Sequence, residues 1–289
     1  MSDTSEAVAA PRTVERRQRN RVLTFVRVNP GIVVGASLLL ILLLAAFFAP
    51  LPYDPENPDP SSILQAPSGA HLFGTDNNGF DVLSRVIASG RRDLPLALIG
   101  TIVSLAIGIV IGLPLSTKSR WAESAMRALD GLQSFPLIVL SVTIVSLTGN
   151  SISNIIYAIV LINGPRFIRL IRSEALSLRE SRFIEAAVAS GARPRRVVFR
   201  HMLPNVVDIC LVQSSLTAAN AIIVIAALNF LGVGVSPPEP TWGSMVQSGA
   251  QAIALGQWWV AIWPGVAIFV AIGSLNILAN GIQRRMEGY

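Results

Sequence analysis

The chain has 289 residues, 52% of them hydrophobic and 14% charged, with a net charge of +6. A soluble domain usually carries about 25% charged residues, so much of this surface is expected to face lipid. The basic residues flank apolar runs instead of interleaving with aromatics, which argues against nucleic-acid binding, and the single cysteine, Cys210, excludes an intrachain disulfide and disfavours a Cys-based metal cluster.

A membrane span needs roughly 20 apolar residues as helix. Residues 31–49 form the first such run, with no charge inside it. Its basic prefix resembles that of a signal peptide, but the run exceeds an h-region of ~7–15 residues, so an uncleaved anchor is expected. Residues 50–93 form the longest outer piece. Residues 51–60 hold too many prolines for a continuous helix or a central strand, and residues 78–92 are compatible with a short surface helix. A second span covers residues 94–115. The third and fourth, at 135–147 and 152–165, are short and form a hairpin about Thr148-Gly149-Asn150. The fifth covers residues 206–233, a Pro- and Gly-rich outer loop covers 232–240, and the sixth span covers 258–282. The expected architecture is an all-α integral membrane protein with six transmembrane helices. It divides into a tail at 1–29, the first span with its outer loop at 30–93, a core at 94–283 and a tail at 284–289.

Six crossings place both termini on one side, and Lys and Arg decide which. Twenty of the 23 basic residues fall on the face of the termini, leaving Arg85, Arg91 and Arg92 opposite. Both termini are therefore expected in the cytoplasm. Trp242, Trp258, Trp259 and Trp263 fall near the outer boundary, where an interfacial belt would sit.

No catalytic constellation emerges. Residues 112–119 approach a phosphate loop, but Thr117 replaces its second glycine, and the segment ends an apolar helix where a phosphate loop follows a strand. Lys118 is the only lysine, so the chain is not expected to hydrolyse ATP. His71 and His201 lie in loops on opposite faces. No ionisable residue is read in mid-span, where it would mark an ion relay; Asp208 sits near the inner interface. Among the span amides and hydroxyls, Gln213, Thr217 and Asn220 share one helical stripe by their spacing of four and three. Helix-to-helix bonding and the lining of a polar path are both open readings for them. Gly108 and Gly112 form a Gly-x3-Gly pattern explained by close helix packing.

The informative segment is residues 181–205. Residues 185–190 are good helix formers, Gly191 is a natural stop, and Pro194 suits the first turn of a following helix. Pro204 is expected to break the chain before the fifth span. A short exposed helix, a tight turn and a second amphipathic helix along the inner surface follow. Glu185-Ala186-Ala187, Gly191, His201, Leu203 and Pro204 together resemble the EAA loop of ATP-binding-cassette importer permeases. Arg200-His-Met-Leu-Pro-Asn205 is similar to the form found in the dipeptide, oligopeptide and nickel subfamily, as are residues 71–85, with Phe80 where arginine is common, and residues 230–243. The resemblance is collinear from about residue 20 to 285.

The resemblance implies a type I importer permease fold in a bacterial inner membrane. It implies a second permease subunit, two ATPase subunits (or one fused ATPase) docked on the EAA loop and an external substrate-binding protein. ATP and Mg would sit on the ATPase partners, with no cofactor on this chain. The ATPase-coupling role falls to Glu185, Ala186, Ala187, Gly191, Leu203 and Pro204. Peptides lead as cargo, with nickel or another small solute as the alternative. An ion-coupled secondary transporter would need mid-span charges, and a non-transporting scaffold would be dispensable for uptake.

Overall fold

The computed structural model describes residues 28–149 and 151–287. The expected basic tail up to residue 27, Asn150 and the last two residues lie outside that description. The described chain is helical apart from loops, turns and one isolated bridge between Thr75 and Asp81. In chain order the helices are α1 (Pro30–Phe48), α2 (Val82–Gly112), α3 (Arg120–Gln133), α4 (Leu137–Thr148), α5 (Ile152–Arg179), α6 (Arg182–Ala189), α7 (Leu203–Phe230), α8 (Trp242–Ile253) and α9 (Trp259–Glu287).

Five of these are long and apolar enough to cross a membrane: α1, α2, α5, α7 with the turn before it, and α9. Helices α3 and α4 meet at 83° and supply a sixth crossing only if they count as one bent span. Alone, α4 with its 12 residues extends about 18 Å, against a hydrocarbon core of about 30 Å. Helix α3 is amphipathic and capped by the Ser119 hydroxyl, which accepts from the Ala122 N–H at 3.3 Å.

The longest helices override the punctuation that the sequence suggested. Residues 78–92 do not form a separate surface helix. Helix α2 starts at Val82, where Asp81 caps it, and runs through Pro95, so the division drawn at residue 93 falls inside it. Burial of Asp93, Leu94, Leu96 and Ala97 holds this stretch although Pro95 lacks an N–H. The fourth span likewise does not end at Pro165. Gly164, Phe167, Ile168, Ile171 and Ala175 are buried at helical spacing, carrying α5 on to Arg179. The arginines at 166, 169, 172 and 179, read as loop residues, belong to this helix.

The core is organised around the α2–α5 pair, the most extensive helix contact. Gly100, Ser104, Gly108 and Gly112 are buried at steps of four on α2. A Cβ on Gly100 would lie 2.6 Å from Ile159, and one on Gly108 would lie 2.5 Å from Phe167. Small residues let the two backbones approach, which is how helices associate without help from water. Helix α7 packs on this pair, α9 packs on α7, and α1 lies outside against α9.

The segment between α7 and α9 holds α8, which the sequence reading missed. Its N-terminus carries a capping box in which Thr241 and Ser244 bond reciprocally. Trp242 and Trp259, expected in an interfacial belt, are 1% and 7% exposed. They are buried inside the protein, and only Trp258 of the four is exposed.

Candidate functional site

Two regions stand out at opposite ends of the helices: a helix-turn segment and a cap, termed inner and outer after the sides expected from the Lys and Arg asymmetry. The inner segment begins where α5 ends at Arg179. Helix α6 follows after two residues, with Glu185 in its first turn, where a carboxylate suits the helix dipole. Glu185 and Ala186 are exposed and Ala187 is half-buried. Ile184, 4% exposed, turns the opposite way, into a core cluster with Leu113, Phe167, Ile171, Val197 and Met202. The short helix is thus pinned by one apolar side chain while its Glu-Ala-Ala face stays open. Beside it runs a groove of about 470 Å³ lined by Arg179, Glu180, Ile184, Glu185, Val188 and Ala189.

The turn after α6 is a Schellman motif. Gly191 has φ +79°, its N–H donates to Val188 O at 2.9 Å, and the Ala192 N–H reaches back to Ala187 O at 3.1 Å. A left-handed residue is required there, which explains the glycine. Residues 194–196 then make one α turn, followed by a π turn (Val197–Met202) leading into α7. Pro204 does not break the chain as expected. It occupies the first turn of α7, in a helical run continuous from Val197 to Phe230. The π turn lies over the carbonyls with which a proline ring would collide in a regular α-helix, and so makes room for it. Leu203 packs against the inner core cluster, whereas Pro204 is exposed.

Lys118 is far from any nucleotide-loop geometry. It lies in the turn between α2 and α3 and donates to Glu180 Oε1 at 2.8 Å. That bond holds the Glu180 carboxyl below, and the Lys118 ammonium above, their ordinary ranges. Of the three polar residues on the α7 stripe, Thr217 is buried and accepts from Gln213 Nε2 at 3.3 Å, while Gln213 and Asn220 are half-buried. Cys210 is buried, as a small apolar side chain would be.

The outer cap is built from residues 50–81 and the segment before α8. Asp81 Oδ2 accepts from both the N–H and the hydroxyl of Ser84, at 2.8 Å each, and Asp81 Oδ1 lies 2.9 Å from His71 Nδ1. Tyr53 stacks on the His71 ring at 4.5 Å. Asp76 Oδ1 accepts from the N–H groups of Asn78 and Phe80. Burial raises the Asp76 carboxyl above its ordinary range in spite of those bonds. Phe80, at a position where the resembled pattern carries arginine, receives the Arg85 guanidinium at 4.0 Å from its ring centroid.

The cap is fastened to the helices by residues whose partners the sequence reading did not find. Trp259 Nε1 donates to Thr75 O at 3.1 Å, and Trp242 Nε1 to Val86 O at 2.9 Å. The Trp242 N–H donates to Asp93 Oδ2 at 3.0 Å. Arg92 pairs with Glu239 at 2.8 Å. Asp93, assigned to a loop from the sequence, is 1% exposed inside α2. The available signal was the position of the two outer stretches, 71–85 and 230–243: each contributes to these contacts or abuts a residue that does.

An all-helical multi-pass protein with a Glu-Ala-Ala helix and a glycine turn presented between spans defines the class: a membrane component of a transport system. Residues 104–288, more than half the chain, match the family described as binding-protein-dependent transport system inner membrane component, and the chain belongs to that family. Residues 21–67 match the N-terminal TM domain of oligopeptide transport permease C. The dipeptide transport system permease protein DppC of Alkalihalophilus pseudofirmus is 36% identical over 264 residues, covering 90% of this chain and 86% of that protein. A protein of Brucella suis biovar 1 named "Putative peptide permease protein" is 36% identical over 271 residues, covering 92% of this chain and 88% of the relative.

Proposed function

We propose that this chain forms half of the translocation pathway of an ATP-driven peptide importer, paired with a second permease subunit in a bacterial inner membrane. The observation that carries the reading is α6, a short helix that buries Ile184 and leaves Glu185, Ala186 and the neighbouring groove free for a partner. The partner that fits is a separate ATPase subunit with an apolar cleft for the alanines and a basic residue for Glu185. ATP and Mg belong to that partner. Gly191 sets the angle between α6 and the run into α7, and Leu203 and Pro204 set the approach to that span.

In this reading α3 and α4 together make one bent crossing, giving six spans with both termini in the cytoplasm. Gln213, Thr217 and Asn220 face the cargo route once the second permease chain is present. Peptides are the cargo because the relatives named above are peptide and dipeptide permeases; an external binding protein delivers them.

Charge reversal at Glu185 tests the coupling role. Glu185→Arg is expected to lose co-purification of the ATPase subunits while insertion of the chain is retained. An ATPase complex recovered in full from that variant, with parent uptake of labelled dipeptide, would refute the assignment. Titrating the binding protein with a peptide library tests the cargo.

A further inference from the structure

We infer that the coupling segment is geared to α2 through the end of α5, as well as to α7, and that Arg172, Arg179 and the Lys118–Glu180 pair are the positioning residues that make this joint. The inference deepens the coupling role of α6 and rests on it. Helix α2 ends at Gly112, and the last carbonyls of any helix need partners beyond it. Here the chain turns through residues 113–117 on its own backbone bonds, with the Ser116 hydroxyl donating to Leu113 O. Three side chains from the end of α5 then close on it. Arg172 Nε donates to Leu115 O at 2.9 Å. Arg179 Nε donates to the hydroxyl of Ser116, a residue that is fully buried, at 3.3 Å. Lys118 donates to Glu180 at 2.8 Å. The acceptors and donors on one side are residues 115, 116 and 118. On the other they are 172, 179 and 180, and α6 starts only two residues later.

Beneath this rim, Leu113 and Ile184 share one apolar cluster with Phe167 and Ile171. The coupling helix is therefore tied to the inner end of α2 through the end of α5 and this shared cluster. In its outer half α2 accepts the Trp242 N–H on Asp93 and carries the Arg92–Glu239 ion pair. Its 31 residues make a rod of about 46 Å. A displacement of α6 by an ATPase is delivered along that rod to the cap where cargo arrives. The three contacts are not equal. Lys118 and Glu180 are largely exposed, with side chains 82% and 67% accessible, and such pairs contribute little. The half-buried Arg172 guanidinium on a backbone carbonyl is the strong member.

The test uses the complete transporter, with its ATPase and binding protein, in liposomes, and reads labelled dipeptide moved per ATP hydrolysed. Arg172→Ala is expected to keep ATP hydrolysis and lower cargo per ATP about tenfold, the size of one lost charge-assisted hydrogen bond. Arg172→Lys, which still reaches a carbonyl with a charged donor, is expected to recover most of it. In a second arm, Lys118→Cys and Glu180→Cys are joined by a short bifunctional thiol reagent; Cys210 is buried and does not compete. The bridged transporter is expected to hold the parent ratio, because the joint stays closed through the cycle. A parent ratio in Arg172→Ala, or arrest of transport on bridging, would overturn the inference. The coupling role itself fails only if Glu185→Arg leaves transport intact, so the two readings fall to different results.

Discussion

Substitution of Gly191 puts the proposed coupling turn under a graded load. The residue sits at φ +79°, and an added Cβ would meet no atom within 4 Å. The penalty is therefore one of backbone conformation, about 1–2 kcal/mol for a left-handed L-residue, with no packing contribution. Gly191→Ala should incur that penalty, and Gly191→Asn less, since asparagine tolerates the left-handed region. Gly191→Pro cannot form the turn at all: its φ is held near −65°, and it deletes the N–H that reaches Val188 O. A two-state transporter needs about 5.5 kcal/mol of differential binding to move from 1:99 to 99:1. A loss of 1–2 kcal/mol erodes such an equilibrium roughly 5–30-fold without abolishing it. The expected order in reconstituted uptake is Gly, then Asn, then Ala, with Pro at zero transport while ATP hydrolysis by the partner continues. Membrane insertion, checked by detergent extraction and gel filtration, should be equal in all four. Parent uptake by Gly191→Pro, or an alanine variant worse than the proline one, would refute the reasoning.

Two further outcomes concern stability. Gly108→Leu drives a side chain into Phe167 and is expected to cost about 1–3 kcal/mol of overpacking; Gly273→Leu in α9, where a Cβ would meet nothing within 4 Å, should be near neutral, and thermal unfolding in detergent compares the two. In the outer cap, the native Asp76 carboxyl is raised by burial, so its contribution is complete below the unfolded value of about 3.9 and is lost as pH rises through the native one. Hydrogen exchange at residues 71–81, corrected for intrinsic rates, should therefore show the Asp76 contribution tightening the cap as pH falls through the native value, and Asp76→Asn should shrink that dependence.

Sequence pattern carried the coupling segment further than it carried the helix ends. The helix at 185–190, the stop at Gly191 and the restart at Pro194 were legible because each depends on local chemistry: a run of helix formers, a left-handed glycine and a proline in a first turn. The ends of α2 and α5 were not, because they are decided by tertiary burial. Pro95 and Pro165 are local stop signals overruled by the α2–α5 contact, and the arginines after Pro165 resemble a loop until Phe167, Ile168, Ile171 and Ala175 are counted as a stripe. Pro204 misled for a related reason, since a π turn is not a pattern that period 3.6 can disclose. Helix α8 was lost because its cap, Thr241 and Ser244, follows directly on the Pro- and Gly-rich loop at 232–240, and no element is read over residues 241–257. Trp242 and Trp259 misled because position along the chain said boundary, while their indole N–H groups had partners inside the protein, on α2 and in the cap respectively.

The position of the outer contacts also bears on where cargo preference can reside. Within the two outer stretches that carry the family resemblance, Thr75, Asp76, Asp81, Arg85, Thr241 and Trp242 are all buried. The buried Arg85 Nε has no hydrogen-bond partner among the described residues, but most of the polar groups are committed inside the protein: His71 to Asp81, Asp81 to Ser84, the Thr75 carbonyl to Trp259, and Trp242 to Asp93 and Val86. A side chain in that state cannot read a peptide without first breaking a bond inside the protein, and leaving a buried polar group unpaired costs about 1–3 kcal/mol. The resemblance on the outer side is thus a description of how the cap folds onto α2, α8 and α9. A transporter whose most recognisable outer residues are spent on its own architecture must take its cargo preference from other surfaces. Under the proposed importer function, those left are the exposed rim of the cap, the half-buried Gln213 and Asn220 of α7, and the proposed external binding protein. Exchanging the binding protein for one of different specificity is the sharper probe of cargo choice than any substitution among the buried cap residues.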